Sequence, residues 1–215
     1  MINILYYKLN KVWEEQIFSY NLSLLPKILQ QKILLYKNKN EQQLRICGKL
    51  MLLQLLNESD KIKDCGLNDI QYDEYNKPFF KENFHFSISH SEDFVLCAAA
   101  KQNRMGIDVE KIKLIDVRLL KNIFSLDEWL SIEQENYNLN YFYYLWTRKE
   151  AVLKAIGKGV VEEMEKIEVL KDIIFYESQQ YIIYDLPIDD AYIVAMACNN
   201  NAVFNVNEFI ANTMI

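Results

Sequence analysis

The sequence is poor in glycine and proline, with five and three of them among 215 residues. So few of either exclude collagen-like repeats and flexible linkers. No apolar run approaches the roughly 18 residues that a membrane-spanning helix needs. The first residues, Met1 to Tyr6, lack the cationic flank and the small-residue cleavage site of a signal peptide. We therefore expect a cytoplasmic protein with no membrane association.

Basic residues are also in the minority, because 24 Lys and Arg stand against 30 Asp and Glu, for a formal net charge of −6. Non-specific binding of nucleic acid depends on a basic surface, so we expect no nucleic-acid partner. The four cysteines, Cys47, Cys65, Cys97 and Cys198, lack the spacing of a metal site or a disulfide framework.

Apolar residues make up 51% of the chain and aromatic residues 13%, which predicts a sizeable core and excludes intrinsic disorder. Residues 42–57 are apolar nearly all round, as in a buried helix. Strands are predicted at 84–88 and 94–100. A second long helix is predicted at 140–156, and a further strand at 191–198. The order of helix and then strand thus recurs along the chain.

This weak internal repeat predicts an α+β fold with two similar halves, 1–103 and 104–215. Each half would consist of a long helix packed on a small, mostly antiparallel sheet. An active site in a duplicated protein of this kind is expected in the cleft between the halves. Two unrelated α+β segments could produce the same repeat by chance, so the pattern has low specificity.

Residues 105–110 read Met-Gly-Ile-Asp-Val-Glu. A strand here would place Asp108 and Glu110 on one face, where two carboxylates repel each other unless a cation lies between them. Mg²⁺ prefers oxygen ligands of this kind, and Gly106 would let the backbone approach a ligand closely. The alternative is a solvated strand edge with alternating acids, the commoner origin of an isolated Asp-x-Glu.

Residues 145–159 are helical by propensity, with Gly157 as a natural C-cap. Glu150 and Lys154 stand four residues apart and share a face of this helix. One interpretation is a surface ion pair worth about 0.5 kcal/mol. The other makes Glu150 a third metal ligand or a base, and Lys154 a donor to a phosphate or a leaving oxygen.

Together these segments resemble the paired signature of the 4′-phosphopantetheinyl transferases, most closely the larger, surfactin-synthetase-activator type. The first half of the signature is Gly-Ile-Asp-Val-Glu at 106–110, and the second is Trp-Thr-x-Lys-Glu-Ala-x-x-Lys at 146–154. Residues 86–91, Phe-Ser-Ile-Ser-His-Ser, are similar to the family pattern F-N-L-S-H-S and depart from it at Ser87 and Ile88. Residues 76–79, Asn-Lys-Pro-Phe, resemble an element in which the family commonly has Gly before the Lys.

The resemblance implies an enzyme that transfers the 4′-phosphopantetheine arm of coenzyme A to a serine of an acyl or peptidyl carrier protein and releases adenosine 3′,5′-bisphosphate. It also implies a Mg²⁺ cofactor and a pseudo-dimer of two halves in one chain, so we expect a monomer. Carried over by motif, Asp108, Glu110 and Glu150 would hold Mg²⁺. Glu150, or a water near it, would accept the serine proton, and Lys154 would stabilise the departing phosphate.

The same resemblance implies a coenzyme A site made of Arg45, Lys77, Ser89, His90 and Lys32. Arg45 and Lys77 would contact the nucleotide, and Lys32, on an early amphipathic helix, would contact the 3′-phosphate. Ser89 and His90 are expected in a loop just after the first strand, where they would contact phosphates. The alternatives are a solvent-exposed turn histidine for His90 and a solvated turn lysine for Lys77.

Lys49 and Glu128 lie near the motifs and are interpreted as residues without a main part in the reaction. Arg45 and Lys49 form a like-charge pair four residues apart, which is unfavourable unless an anion lies near it. Lys49 matches no family residue and is interpreted as a surface side chain. Glu128 follows Ser125 at the spacing of a capping box, so we interpret it as a helix cap and any catalytic part as secondary.

Two other functions stay open at this point. A metal-dependent phosphohydrolase or nuclease can also use an Asp-x-Glu with a distant Glu, although the acidic net charge counts against a nuclease. A non-catalytic relative could bind carrier proteins without modifying them. The intact set of three acids and Lys154 counts against that alternative.

Overall fold

The computed structural model describes residues 1–59, 65–81, 83–157 and 164–211. Residues 158–159, at the end of the second predicted motif segment, lie outside the described residues, as do 212–215 of the second predicted half. Each of the two compact units defined by contacts combines helices with a small sheet, so the predicted α+β class is confirmed.

The first unit comprises the described residues of Met1–Asp73, Pro78–Gln102 and Val203–Ile215. Its helices are α1 (Glu15–Ser23), α2 (Lys27–Leu34) and α3 (Lys39–Asn57), and its strands are β1 (Ile2–Lys8), β2 (Gln71–Tyr72), β3 (Pro78–Phe79), β4 (Phe84–Ser91), β5 (Phe94–Lys101) and β10 (Phe204–Glu208). Four strands form a sheet in the order β10-β1-β5-β4, in which only the β1–β10 pair is parallel. Strand β10 joins this sheet from the far end of the chain. The division into halves 1–103 and 104–215 stays a prediction.

Helix α3 is the central helix of the first unit. The side chain of Asn38 caps its N-terminus by accepting from the N–H groups of Asn40 and Glu41, so the helix begins earlier than the predicted residue 42. Its side chains are buried on most sides, as the continuous apolar pattern predicted. It packs mainly on β5, whose residues from Phe94 to Ala100 are all buried.

Strand β4 is longer than predicted. The ladder with β5 continues through Ser89, His90 and Ser91, and Ser91 pairs with Phe94 across the turn. The expectation that Ser89 and His90 lie in a loop after the strand is therefore wrong. The physical reason is that the apolar strand β5 supplies backbone partners along its whole length, so the polar end of β4 gains ladder hydrogen bonds by staying extended.

The second unit comprises the described residues of Glu74–Lys77 and Asn103–Ala202. Its elements are β6 (Met105–Lys111), α4 (Leu126–Gln134), α5 (Leu139–Ile156), β7 (Ile173–Tyr176), β8 (Gln179–Asp185) and β9 (Tyr192–Cys198). The strands form an antiparallel sheet in the order β6-β9-β8-β7.

Helix α5 packs on β6 and β9 at one side of this sheet. The Asn138 side chain caps its N-terminus by accepting from the N–H of Tyr141. Gly157 ends it in the left-handed conformation, with φ of +88°, which a residue with a Cβ adopts only at a cost. The predicted helix and its glycine cap are confirmed.

Of the helices in the described part of the chain, none is both long enough and apolar enough to cross a membrane.

Candidate active site

The candidate site lies where α5 crosses one face of β6. Alternation along the strand puts Gly106, Asp108 and Glu110 on that face. A Cβ atom on Gly106 would lie 2.2 Å from the carbonyl oxygen of Ala151 and 2.4 Å from the amide nitrogen of Ala155. The glycine is therefore needed for the backbone of α5 to come this close, which differs from the ligand approach that the sequence predicted.

Asp108 and Lys154 form an ion pair at the centre of this contact. The Lys154 Nζ atom lies 2.6 Å from Oδ1 of Asp108, and the side chains are 31% and 5% exposed. An ion pair with one nearly buried partner is less screened by water than a surface pair. The structure thus brings together two residues that the sequence assigned to separate motifs.

Glu110 lies further along the same face, against the beginning of the helical motif. The indole Nε1 of Trp146 donates to Oε1 of Glu110 at 3.3 Å. Trp146 lies two helical turns before Lys154, and Glu150 lies between them, because residues four apart share a helix face. The helix therefore runs past Gly106, Asp108 and Glu110 in the opposite direction to the strand.

The electrostatics of Glu150 reflect this position. Burial raises the pKa of its carboxyl, and the negative charges of Asp108 and Glu110 raise it further, while Lys154 opposes them. Like charges have this effect on a neighbouring acid when they lie close to it. Glu150 is thus under the electrostatic influence of both carboxylates of β6, and it accepts a proton more readily than an ordinary glutamate.

Within the described ranges, no three His, Cys, Asp or Glu side chains form a ready-made metal centre. The cation that the structure places on Asp108 is the ammonium group of Lys154. The predicted metal ligands nevertheless form a suitable donor set, since all three are carboxylates and Mg²⁺ prefers oxygen. Their mutual repulsion at Glu150 is what a divalent cation would relieve.

Lys77 reaches the far end of α5. Its Nζ donates to the carbonyl oxygen of Lys154 at 2.6 Å and to that of Ala155 at 3.4 Å. Its side chain also fills the space where Gly157 has no Cβ. A cation that donates to the last carbonyls of a helix stabilises its C-terminus. The structure therefore shows Lys77 as a helix cap, a role that the sequence did not predict.

A second group of predicted residues lies in the first unit. The guanidinium of Arg45 pairs with Glu41, with 2.9 Å between Nη2 and Oε1, and stacks over the ring of Tyr36 at 3.7 Å from its centroid. Lys32 lies on α2, as predicted, with its Nζ 5.0 Å from the centroid of the Tyr72 ring. Both cations therefore have an aromatic ring beside them.

Lys49 is a third cation within electrostatic range of Arg45 and Lys32, although the sequence predicted a surface side chain. It is half-buried in α3, and burial lowers the pKa of its amine, as do the positive charges of Arg45 and Lys32. Three cations within electrostatic range of each other favour an anion among them. The signal in the sequence was the like-charge pair Arg45 and Lys49 on an apolar helix.

Ser89 and His90 point to opposite faces of β4, since they are successive residues of a strand. His90 shares its face with Ile88, whose side chain lies beside Gly48 of α3. Ser89 is buried on the other face. The face that β4 turns toward α3 therefore carries only one of the two.

Glu128 is a helix cap, as the sequence predicted. Its Oε2 accepts from the N–H of Ser125 at 2.8 Å, and its own N–H donates to the Ser125 hydroxyl at 3.2 Å. The carboxylate also pairs with Lys149, a contact that the capping box gave no reason to expect. Neither side chain is exposed to solvent.

Comparison with known protein families gives two adjacent matches. Residues 12–102 match the description "4′-phosphopantetheinyl transferase, N-terminal", and residues 104–190 match the "4′-phosphopantetheinyl transferase superfamily". The second match contains β6 and α5, the elements that carry the candidate site.

Individual relatives agree with these matches. The chain is 33% identical over 162 residues to the 4′-phosphopantetheinyl transferase gsp of Aneurinibacillus migulanus, which covers 74% of this chain and 68% of the relative. It is 37% identical over 108 residues to the 4′-phosphopantetheinyl transferase Sfp of Bacillus subtilis, covering 47% of this chain and 48% of the relative. It is 30% identical over 140 residues to the rat L-aminoadipate-semialdehyde dehydrogenase-phosphopantetheinyl transferase, covering 57% of this chain and 45% of the relative.

The latter two matches span about half the length of those relatives, whereas the gsp match spans more than two thirds of its length. The resemblance drawn from the motifs is thereby confirmed: this chain belongs to the 4′-phosphopantetheinyl transferase superfamily and is of the type represented by gsp and Sfp.

Proposed function

We propose that this chain transfers the 4′-phosphopantetheine arm of coenzyme A to a serine hydroxyl of an acyl or peptidyl carrier protein. The observation that carries the proposal is the convergence of the two signature segments on one face, where Asp108 of β6 contacts Lys154 of α5. The relatives named as phosphopantetheinyl transferases support it independently. Adenosine 3′,5′-bisphosphate is the second product.

Asp108, Glu110 and Glu150 are the proposed ligands of a Mg²⁺ ion. When bound, the ion would neutralise charge on the pyrophosphate of coenzyme A. The support is the all-carboxylate donor set and the raised pKa of Glu150, which has burial as its first cause and the negative charges of Asp108 and Glu110 as its second. Arg45, Lys32 and the newly identified Lys49 are the proposed contacts to the anionic nucleotide, with Lys77, Ser89 and His90 retained from the resemblance.

The chemistry is an in-line displacement at phosphorus. The serine oxygen forms a bond to the phosphorus that carries the pantetheine arm, and the bond from that phosphorus to the bridging oxygen breaks. Glu150, or a water near it, accepts the serine proton, as the resemblance implies. Lys154 donates to the departing phosphate and so stabilises the charge that develops on it.

Other parts of the resemblance also stay proposals. These are the pseudo-dimer with its active site in the cleft between the halves, the monomeric state, the lack of a nucleic-acid partner and the cytoplasmic location. None of them is needed for the test of the reaction itself.

The test is mass spectrometry of purified carrier proteins after incubation with this protein, coenzyme A and Mg²⁺. We expect a gain of one phosphopantetheine arm on a serine, and loss of that gain when EDTA replaces Mg²⁺. Asp108→Ala is the matched inactive variant, and its circular dichroism should remain that of the wild type. Failure to modify acyl and peptidyl carrier proteins alike would overturn the proposal, and hydrolysis of coenzyme A without transfer would favour a phosphohydrolase.

A further inference from the structure

Helix α5 has a second charged contact that the proposed chemistry does not use. Lys149 directly precedes Glu150 on α5. Successive residues lie about 100° apart around a helix axis. Its Nζ lies 2.8 Å from Oε2 of Glu128, and both side chains are fully excluded from solvent. The pair therefore lies on a different side of α5 from the face that carries Glu150 and Lys154.

Each polar atom of this pair has a partner. The ammonium group of Lys149 also donates to the carbonyl oxygens of Met164, at 3.0 Å, and of Ile167, which uses its three donors. The other oxygen of Glu128, Oε1, accepts from the N–H of Val169 at 2.8 Å. Three segments, namely the start of α4, the middle of α5 and residues 164–169, are thus joined at one point.

Stability alone does not account for such a pair. Burying two charges has a large desolvation cost, and apolar residues of similar volume often serve as well or better. What the pair adds is direction, because each hydrogen bond fixes an angle as well as a distance. Directional contacts on one side of a helix restrict its rotation about its own axis.

On the β6 side of α5, Gly106 sets how closely the helix approaches the strand. The directional contacts on that side, Lys154 with Asp108 and Trp146 with Glu110, are made by side chains of the candidate site itself. Binding of Mg²⁺ at Asp108 would release Lys154, whereas the Glu128–Lys149 pair takes no part in the proposed chemistry and would stay in place. Small rotations would carry Trp146, Glu150 and Lys154 along the face of β6. A displacement of about 1 Å in a catalytic group can reduce the rate about 100-fold.

We propose that Glu128 and Lys149 are positioning residues whose buried ion pair fixes the rotation of α5 about its axis. This orientation holds Trp146, Glu150 and Lys154 against the face of β6 that carries Asp108 and Glu110. The kinetic part of this inference rests on the proposed transferase function. The structural part does not, because the Trp146–Glu110 hydrogen bond reports the same alignment without any substrate.

The test uses the double variant Glu128→Gln/Lys149→Met. Either single change leaves one buried charge without its partner, so each single variant is expected to unfold at a lower temperature than the double variant. In the double variant, the glutamine oxygen keeps an acceptor for the N–H of either Ser125 or Val169, which bind different oxygens of Glu128. The methionine keeps most of the lysine volume. The matched control is Asp172→Asn, which breaks the ion pair of the neighbouring Arg148 on the same helix.

Two readouts are measured below the unfolding temperature of every variant. In the double variant, kcat for transfer should fall by at least about tenfold while KM for coenzyme A stays within about twofold, since Arg45, Lys32 and Lys49 lie in the first unit and not on α5. The indole N–H resonance of Trp146, assigned with Trp146→Phe in ¹⁵N-labelled protein, should shift or broaden. The resonance of Trp13, in the first unit, is the internal reference, and Asp172→Asn should change neither readout.

A double variant with the wild-type kcat and an unmoved Trp146 resonance would overturn the positioning role. A wild-type protein that modifies no carrier protein would overturn the proposed function alone, and the resonance would then decide the positioning role by itself. A resonance that moves equally in Asp172→Asn would also overturn the inference, because any loss of an ion pair on α5 would then have the same effect.

Discussion

The ammonium group of Lys154 lies 2.6 Å from the carboxylate of Asp108, so a residue proposed to act on phosphate is held by a residue proposed to bind metal. Without another cation at Asp108, Lys154 pairs with this carboxylate and is not available to a phosphate. Binding of Mg²⁺ at Asp108 would release Lys154 toward the phosphate. This relationship gives the first prediction.

Replacing Lys154 by Gln should tighten the binding of Mg²⁺ while slowing transfer. A partly exposed ion pair is worth about 1 kcal/mol, so we expect the Mg²⁺ affinity to rise roughly five-fold. Loss of the positive charge that stabilises the departing phosphate should lower kcat about 100-fold. Isothermal titration with MgCl₂ and steady-state kinetics measure the two effects. Lys166→Gln, an exposed change of the same charge, is the control, and equal Mg²⁺ affinity in both variants would contradict the prediction.

Replacing Glu150 by Gln should raise the unfolding temperature of the metal-free protein at pH 7.5 and abolish transfer. Burial and two neighbouring carboxylates raise the pKa of Glu150 in the folded state. Its stabilising contribution is therefore complete below the unfolded pKa, near 4.3, and is lost as the pH rises through the folded pKa. The advantage of the variant should be smaller at pH 5 than at pH 7.5.

Adding Mg²⁺ should reverse that order at pH 7.5, because the ion stabilises only the protein with a complete ligand set. Thermal unfolding with and without MgCl₂ at the two pH values provides the measurement. A wild type that is more stable than Glu150→Gln without Mg²⁺ would show that the carboxylates do not repel each other as described.

Gly106→Ala and Gly48→Ala should differ sharply in stability. At Gly106 the added Cβ lies 2.2 Å from the carbonyl oxygen of Ala151 in the backbone of α5, whereas at Gly48 it lies 3.0 Å from the Cγ2 methyl of Ile88. Overpacking against backbone costs about 1–3 kcal/mol or more, and Gly106→Ala should also lose activity because α5 shifts. In Gly48→Ala the mild contact is offset by the roughly 1 kcal/mol that alanine gains over glycine in a helix. Urea denaturation of both variants would reveal equal losses if the close approach were absent.

Lys77→Met should lower the free energy of unfolding by about 1 kcal/mol in the absence of coenzyme A. The lost ammonium donates to Lys154 and Ala155 at the negative end of α5. Denaturant titration measures this loss, and Lys77→Arg should recover most of it. The KM for coenzyme A in the same variants tests the nucleotide contact that the resemblance implied, and an unchanged KM would limit Lys77 to helix capping.

Lys49→Met should stabilise the protein without coenzyme A and weaken the binding of coenzyme A. Burial and the charges of Arg45 and Lys32 disfavour the charged amine and lower its pKa, so removing it relieves a cost in the free protein. A bound anion reverses that cost in the wild type, and we expect the Kd for coenzyme A to rise about tenfold in the variant. Lys39→Met, at an exposed end of the same helix, is the control, and an equal Kd in both variants would contradict the role of Lys49.

The sequence by itself determined the local features of this protein. Helix α5 with its Gly157 cap, the capping box at Ser125 and the shared face of Asp108 and Glu110 depend on neighbours a few residues away. The motif spacing indicated the family. The continuation of β4 through Ser91 was missed because its cause is the partner strand β5.

Only the tertiary structure decided which distant partners the charged side chains of the candidate site take. Lys154 meets Asp108 across 46 positions of the chain, Lys77 meets the end of α5 across 77, and Glu128 meets the N–H of Val169 across 41. Composition and periodicity place a lysine on a face, but a buried charge binds whichever opposite charge or carbonyl the packing of distant segments brings within reach. That choice depends on desolvation and geometry in three dimensions, which no local pattern encodes.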